Sequence, residues 1–233
     1  METMLLKEAR ALNPWLQEVF FRIHRNPELS TREFKTQALI LEELEKMGVE
    51  ARPIADTGVL GIIRGGKPGK TVAFRADMDA LPVQEDTALP YASQVPGVMH
   101  ACGHDVHVTV LLGAAKLLAA GRETMQGNVK LFFQPAEESV GGANRMIQAG
   151  CMENPKVDAV FFGHSSGSYP VGTVSIKEGP VSAASNPFTV TFRGKGATAL
   201  PHTRALMRSW RHPRQLWRCR VSAAAAPIPW MLR

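Results

Sequence analysis

Four short polar motifs constrain the fold of this chain most, because each stands at the end of a predicted strand or at the start of a predicted helix. Two carboxylates follow one strand, and a cysteine and a histidine precede an apolar helix. Two adjacent glutamates follow a second strand, and a histidine follows a third. These side chains are Asp77, Asp79, Cys102, His104, Glu137, Glu138 and His164. In an open α/β sheet, ligands bind beyond the carboxyl ends of the strands, so the sequence predicts one shared crevice.

Strands and helices alternate along most of the chain. Apolar, strand-like runs lie at 59–64, 71–75, 128–133 and 157–162, and helical patterns lie at 106–120 and 143–149. This alternation predicts an α/β sheet covered by helices on both faces. The largely apolar runs 128–133 and 157–162 predict buried strands.

An earlier helix is predicted from local signals. The run Ser30-Thr31-Arg32-Glu33 matches a capping box, and Gly48 marks the expected end of the helix. Apolar residues recur at helical spacing between these points, namely Phe34, Ala38, Leu41, Leu44 and Met47. After residue 171 the pattern becomes strand-rich, with predicted strands at 172–176 and 188–192 and a domain change near 183–187.

The end of the chain differs sharply in composition from the rest. Residues 201–233 contain seven arginines and no acidic residue, whereas residues 1–200 carry a net charge of −1. The net charge of +6 therefore does not indicate that the main body binds nucleic acid or membrane. A basic membrane-surface helix would explain the tail, but Pro213 interrupts it. We favour a shifted reading frame as the origin of this segment.

The four motifs supply sulfur, nitrogen and oxygen donors, a mixture that suits zinc or manganese. The neighbours Glu137 and Glu138 allow one carboxylate to bind metal while the other takes a proton from water. Each residue alone has a simpler explanation, such as a loop carboxylate, a small buried thiol or a solvated acidic pair. Their occurrence together, each at the end of an element, favours a metal site.

Five strings resemble the aminoacylase family of co-catalytic metallopeptidases, and within it the branch of hippurate hydrolase, bacterial N-acyl-amino-acid amidohydrolases and plant auxin-conjugate hydrolases. They are His-Arg-Asn-Pro-Glu-Leu-Ser (24–30), Arg-Ala-Asp-Met-Asp-Ala-Leu-Pro (75–82), Met-His-Ala-Cys-Gly-His-Asp (99–105), Gln-Pro-Ala-Glu-Glu (134–138) and Pro-Val-Gly-Thr-Val (170–174). The resemblance implies metal-dependent hydrolysis of the amide bond of N-acyl amino acids, such as hippurate or N-acetyl amino acids.

The resemblance also implies a site with two divalent metal ions, manganese or zinc, with cobalt or nickel as other options. Cys102 would bridge the two ions as a thiolate, and His104, Glu138 and His164 would be further ligands. Glu137 would be the general base. A Cys at the bridging position favours the amidohydrolase branch over di- and tripeptidases, which usually carry Asp there.

Three further side chains would support these ligands without binding metal. Asp79 would orient a ligating histidine, His104 being the expected one, and Asp105 and His107 would also support the site. The family fold is an α/β, metallopeptidase-like mixed sheet with helices on both faces and a smaller α+β lid or dimerisation domain. Residues 1–184 would be the N-terminal part of the catalytic domain, 185–203 the start of the lid, and 204–233 an aberrant basic tail.

Two departures from the family support an alternative prediction. The family takes one more histidine ligand from a segment after the lid, for which this chain has no counterpart. Residues 194–202 also lack the first of the two histidines in the family's lid pattern, and His202 matches only the second, which is not expected to be catalytic. The alternative is an inactive truncated fragment that keeps a partial metal site.

The sequence also predicts the surroundings of the protein. Its first ten residues lack the apolar core of a signal peptide, and three cysteines make no disulfide framework. We expect a cytoplasmic protein that binds a small-molecule substrate and neither nucleic acid nor membrane. Full-length relatives are expected to form homo-oligomers through the lid.

Overall fold

The computed structural model describes residues 3–139, 141–180 and 191. These residues form five helices, five strands and one 3₁₀ turn, in the order α1 (Met4–Ala11), α2 (Asn13–His24), α3 (Phe34–Lys46), β1 (Glu50–Ile54), β2 (Gly58–Arg64), β3 (Lys67–Asp77), α4 (His104–Ala120), the 3₁₀ turn (Arg122–Thr124), β4 (Gln126–Gln134), α5 (Gly142–Gln148) and β5 (Ala159–Phe162). The strand and helix runs expected between residues 59 and 162 are all present. Helices α1 and α2 and strand β1 were not predicted.

The five strands form one mixed sheet in the order β1-β2-β4-β3-β5. Strands β1, β2 and β4 pair antiparallel, and β3 runs parallel to both β4 and β5. The predicted fold class, a mixed sheet with helices, is confirmed. Because β3, β4 and β5 are parallel, their carboxyl ends lie at the same edge of the sheet.

Helices cover both faces of the sheet, as predicted. The larger core lies on the face of α2, α3 and α4, where it includes Leu131 and Phe133 of β4. The smaller core lies on the other face, where Phe132 of β4 packs with Met146 of α5. Neighbouring residues of a strand point to opposite faces, so one apolar strand contributes to both cores. Gly113 of α4 permits close packing against α2, since a Cβ there would lie 2.9 Å from Leu16 Cδ2.

The predicted capping box is wrong. Helix α3 begins after Glu33, whose side chain makes no capping hydrogen bond. Glu28 takes this role instead, because its carboxylate accepts the backbone N–H groups of Lys35 (3.1 Å) and Thr36 (2.9 Å). The left-handed Gly48 follows the helix as expected.

The apolar residues that recur along α3 do not all lie on its buried face. Phe34 is 55% exposed and Ala38 is exposed, whereas Leu44 is buried as expected. The buried residues of the helix are Thr36, Leu39, Ile40, Glu43 and Leu44.

Residues 157–162 were expected to form a buried strand; the strand forms, but it is not buried. Strand β5 has the right place and direction, but Phe161 and Phe162 are 52% and 67% exposed. Strand β5 lies at the edge of the sheet among the described strands, and edge position is a tertiary property that an apolar run does not reveal.

The chain divides into two compact units, Met1–Val171 and Gly172–Arg233. The strand predicted at 172–176 is not formed: these residues are irregular, and Val174 and Ile176 are largely exposed. The predicted strand at 188–192 lies almost wholly outside the described residues, and the boundaries near 184 and 203, with His202 and the tail, lie fully outside them. Among the helices of the described part, none is long and apolar enough to cross a membrane.

Candidate metal centre

The predicted site residues meet at the common edge of β3, β4 and β5. Ligand atoms of Cys102, His104 and His164 lie within 4.8 Å of one another, and so do those of His104, Glu137 and Glu138. His104 belongs to both groups, so the two groups form one continuous cluster. The segments after β4 and β5 supply Glu137, Glu138 and His164, and the start of α4 with the residues just before it supplies His104 and Cys102.

His104 presents a free nitrogen to this cluster. Its Nδ1 lies 2.8 Å from the main-chain oxygen of Asp79 and 3.3 Å from the carboxylate of the same residue. Both neighbours are acceptors, so Nδ1 carries a proton. The buried Nε2 has no hydrogen-bond partner in the described part of the chain and lies 3.8 Å from Glu138 Oε1. An orphaned buried nitrogen that faces a carboxylate fits a metal ligand.

The carboxylates beside His104 affect its protonation. Burial lowers the pKa of this imidazole, but Asp79 and Asp77 raise it further, so that its pKa lies above the usual value. Nε2 would lose its proton to ligate a metal ion, so metal binding is expected to release a proton from this site.

His164 and Cys102 form the opposite side of the cluster. His164 Nδ1 donates to the main-chain oxygen of Ser165 (2.7 Å), so its Nε2 is free to accept, and this Nε2 lies 3.5 Å from Cys102 Sγ. Burial and the neighbouring Glu138 carboxylate raise the pKa of Cys102 to about 12. The thiol is therefore protonated without a cation, and a bound cation would favour the thiolate.

Asp79 holds the loop that carries the two glutamates. It lies 1% exposed and accepts the backbone N–H groups of Glu137 (3.1 Å) and Glu138 (3.0 Å) and the hydroxyl of Ser30 (2.6 Å). Burial would raise its pKa, but hydrogen bonds from His104, Ser30 and the two backbone amides lower it to about 2. Asp79 thus contacts His104 on one side and the Glu137–Glu138 backbone on the other.

Glu33 also holds the loop that carries the two glutamates. Its fully buried carboxylate accepts the N–H of Ala136 (2.8 Å) and the hydroxyl of Thr57 (2.5 Å). Ala136 has a positive φ of 51°, a conformation that costs energy for a residue with a Cβ. Ser30 and Glu33, which sequence patterns assigned to helix capping, therefore both position the residues that follow β4.

Asp77 takes part in a third group of possible ligands, with His104 and His107. Both oxygens of Asp77 already have partners, since Oδ1 lies 2.6 Å from His107 Nδ1 and Oδ2 accepts from Arg75 (2.7 Å). An anion with satisfied oxygens is a poorer ligand than the exposed Glu138, so the geometry favours the two groups that contain Glu137, Glu138, Cys102 and His164.

Comparison with known proteins identifies the family of this chain. The model of peptidase family M20/M25/M40 matches residues 73–227, about two thirds of the chain. The chain belongs to this family. The thermostable carboxypeptidase 1 of Saccharolobus solfataricus is 48% identical over 203 residues, which are 85% of this chain and 51% of the relative. The N-acetyl-L-cysteine deacetylase of Bacillus subtilis is 48% identical over 182 residues, 77% of this chain and 43% of the relative.

A solved structure of the M20 family shares the fold. It is the Bacillus subtilis YXEP protein, described as a dinuclear metal binding peptidase, with 42% identity and a TM-score of 0.70. The similarity covers 73% of this chain and 48% of that chain. The chain spans about half the length of the curated M20 relatives it matches.

A buried histidine near the candidate metal centre had no role predicted from the sequence. His24 ends α2 and is 7% exposed. Its Nδ1 lies 2.5 Å from Asp105 Oδ2 and its Nε2 lies 3.3 Å from Glu85 Oε1. Asp105 therefore supports the start of α4 by binding His24. The only available signal was His24 itself, as the first residue of a motif that resembles the family.

We expect His24 to make stability depend on pH. The hydrogen bond with Asp105 raises its pKa above 6.5, against burial, and Glu85 adds to this rise. The nearby His100 is neutral at pH 7, since burial lowers its pKa to about 4. A histidine whose pKa is higher in the folded state than in the unfolded state stabilises the fold fully at pH values below the unfolded-state pKa. This stabilisation is lost as the pH rises through the folded-state pKa.

Urea unfolding of the wild type and of His24→Gln would measure this effect. The wild type should exceed the variant in free energy of unfolding by more at about pH 6 than at about pH 9. A difference that stays constant over this range would show that His24 does not stabilise the fold as a cation.

Proposed function

We propose that this protein hydrolyses the amide bond of N-acyl amino acids with the help of two divalent metal ions. The observation that carries the proposal is the pair of adjacent carboxylates, Glu137 and Glu138, which each place an oxygen within 4.8 Å of a ring nitrogen of His104. Glu138 Oε1 lies 3.8 Å from the unpartnered Nε2 of that ring. The N-acetyl-L-cysteine deacetylase among the relatives supports this substrate class by its name.

The described residues fit a pair of metal ions. Cys102, His104, Glu138 and His164 would hold the ions. The Nε2 atom of His104 has no partner among the described residues, and that of His164 faces the Cys102 thiol. A donor set of one thiolate, two imidazoles and a carboxylate suits manganese or zinc, and also cobalt or nickel.

The protein groups divide the chemistry between them. Bound metal ions would lower the pKa of water and stabilise negative charge on the carbonyl oxygen. Glu137, which is exposed to the crevice, would take a proton from the attacking water and give it to the leaving nitrogen. The amide C–N bond breaks, and a carboxylic acid and an amino acid leave.

Release of free amino acid from hippurate and N-acetyl-methionine tests this function. The metal-free chain would be assayed after addition of manganese or zinc, beside Cys102→Ala and the control Cys151→Ala, which alters a buried cysteine in the smaller core. We expect turnover that requires metal, is lost in Cys102→Ala and persists in Cys151→Ala.

Two outcomes would contradict the proposal. Metal binding by the wild type without turnover would support the inactive fragment that keeps a partial metal site. Faster cleavage of alanyl-methionine than of N-acetyl-methionine would instead favour a peptidase, in line with the name of the Saccharolobus relative.

A further inference from the structure

His107 joins strand β3 to the segment that follows β5. Its Nδ1 lies 2.6 Å from Asp77 Oδ1, the last residue of β3. Its Nε2 accepts the backbone N–H of Ser165 (2.9 Å) and lies 3.2 Å from Ser165 Oγ. Because Nε2 accepts a backbone N–H, the ring proton is on Nδ1 and is donated to Asp77. Both nitrogens of this buried ring are therefore used within the protein.

Gly103 leaves the space that the Ser165 side chain occupies. A Cβ at position 103 would lie 2.4 Å from Ser165 Oγ, and Gly103 has a φ of +83°. Any side chain there would be strained by this backbone conformation and would force the Ser165 hydroxyl to move. Gly103 thus leaves space for Ser165, and His107, one turn later, provides the acceptor for the Ser165 backbone N–H.

Ser165 in turn determines where His164 points. The carbonyl oxygen of Ser165 accepts from His164 Nδ1 (2.7 Å), which leaves His164 Nε2 directed at Cys102 Sγ, 3.5 Å away. Residues 163–170 are exposed, so burial does little to fix this segment. This segment contacts Cys102 and the first turn of α4, where His104 and His107 lie.

We propose that His107 is a positioning residue that holds His164 in place for metal binding by fixing the backbone of Ser165 over Gly103. The proposal rests on the proposed function, in which His164 is a metal ligand. Asp77 serves His107 by setting its tautomer, and neither residue is a ligand.

Amide hydrogen exchange of Ser165 tests the hydrogen bond without metal or substrate. In the metal-free 233-residue chain, we expect this amide to exchange at least about tenfold more slowly than an unprotected amide, and to lose that protection in His107→Leu. The control Val108→Ala creates a cavity in the same helix, where Val108 is fully buried, and should keep the protection. Fast exchange in the wild type, or unchanged protection in His107→Leu, would overturn the proposal.

Titration with Co²⁺ tests the consequence for metal binding. We expect His107→Leu to weaken binding of one of two ions by about 10–100-fold, with the Cys102 thiolate absorption band retained for the other. His107→Gln keeps an acceptor and should recover part of the affinity. Equal weakening in His107→Leu and Val108→Ala would show a general loss of stability, against the proposal.

Two further comparisons keep the results interpretable. If His107→Leu does not fold, Ser165→Pro removes the N–H donor while the His107–Asp77 pair stays intact, and it should weaken the same ion. If the wild type binds no Co²⁺, the proposed function fails, whereas the exchange rate of Ser165 still decides whether His107 positions this segment.

Discussion

Replacing Glu137 with glutamine is expected to lower the rate of amide hydrolysis by about 10²–10⁴-fold while both metal ions stay bound. Glu137 is exposed, and its backbone N–H donates to Asp79. Glutamine has nearly the same shape, so it leaves this backbone contact intact and removes only the ability to take a proton.

Glu138→Gln provides the matched comparison, because Glu138 is the adjacent carboxylate and lies 3.8 Å from His104 Nε2. This variant should weaken metal binding, and excess metal should restore part of its activity. Ser139→Ala, one residue further along the exposed loop, should behave like the wild type. Metal content and initial rates measured on all three variants would separate the base from the ligand. If excess metal restored the activity of Glu137→Gln, Glu137 would be the metal ligand and Glu138 the general base.

Replacing Asp79 with alanine is expected to cost about 3–5 kcal/mol of folding free energy and most of the metal affinity. Asp79 is a buried carboxylate that accepts hydrogen bonds from Ser30, Glu137 and Glu138, and it lies beside His104 Nδ1. Its loss would leave buried donors without partners, and it would free the ring of His104 to turn.

Urea unfolding of the metal-free chain would measure the stability term, and Zn²⁺ titration the affinity. Asp86→Ala is the control, since Asp86 is exposed and its removal should change stability by less than about 0.5 kcal/mol. A loss below about 1 kcal/mol for Asp79→Ala would mean that water replaces these hydrogen bonds and that the loop does not depend on Asp79.

Local sequence rules predicted the position of the site but not the residues that support it. The convergence of Asp79, Cys102 and Glu137 required only that the strands joined by helices run parallel, which the alternation of strands and helices predicts. Glu33 shows the limit of such rules. Its pattern satisfied a capping box, but its carboxylate finds the amide of Ala136, which is 103 residues away and invisible to any local signal.

Burial was harder to predict than strand position. The run that forms β5 is as apolar as the run that forms β4, yet β4 lies inside the sheet and β5 at its edge among the described strands. Composition does not encode the number of neighbours that a strand has. The functional assignments of Cys102, His104 and His164 stay predictions, although the structure brings their ligand atoms together.

The register of the parallel pair β3–β4 also decides where the chain can tolerate insertions. Asp77 lies opposite Gln134 at the site end, and the pairing is unbroken back to Thr71 opposite Asn128. At the far end, between Lys67 and Thr71, the register shifts, so an added residue there can be taken up in the irregularity. One residue added between Thr71 and Asp77 would move the Asp79 loop by about 3.3 Å relative to Glu137 and turn its side chains to the other face. Length variation among relatives should therefore accumulate at the far end of these strands and be absent from the six residues before Asp77.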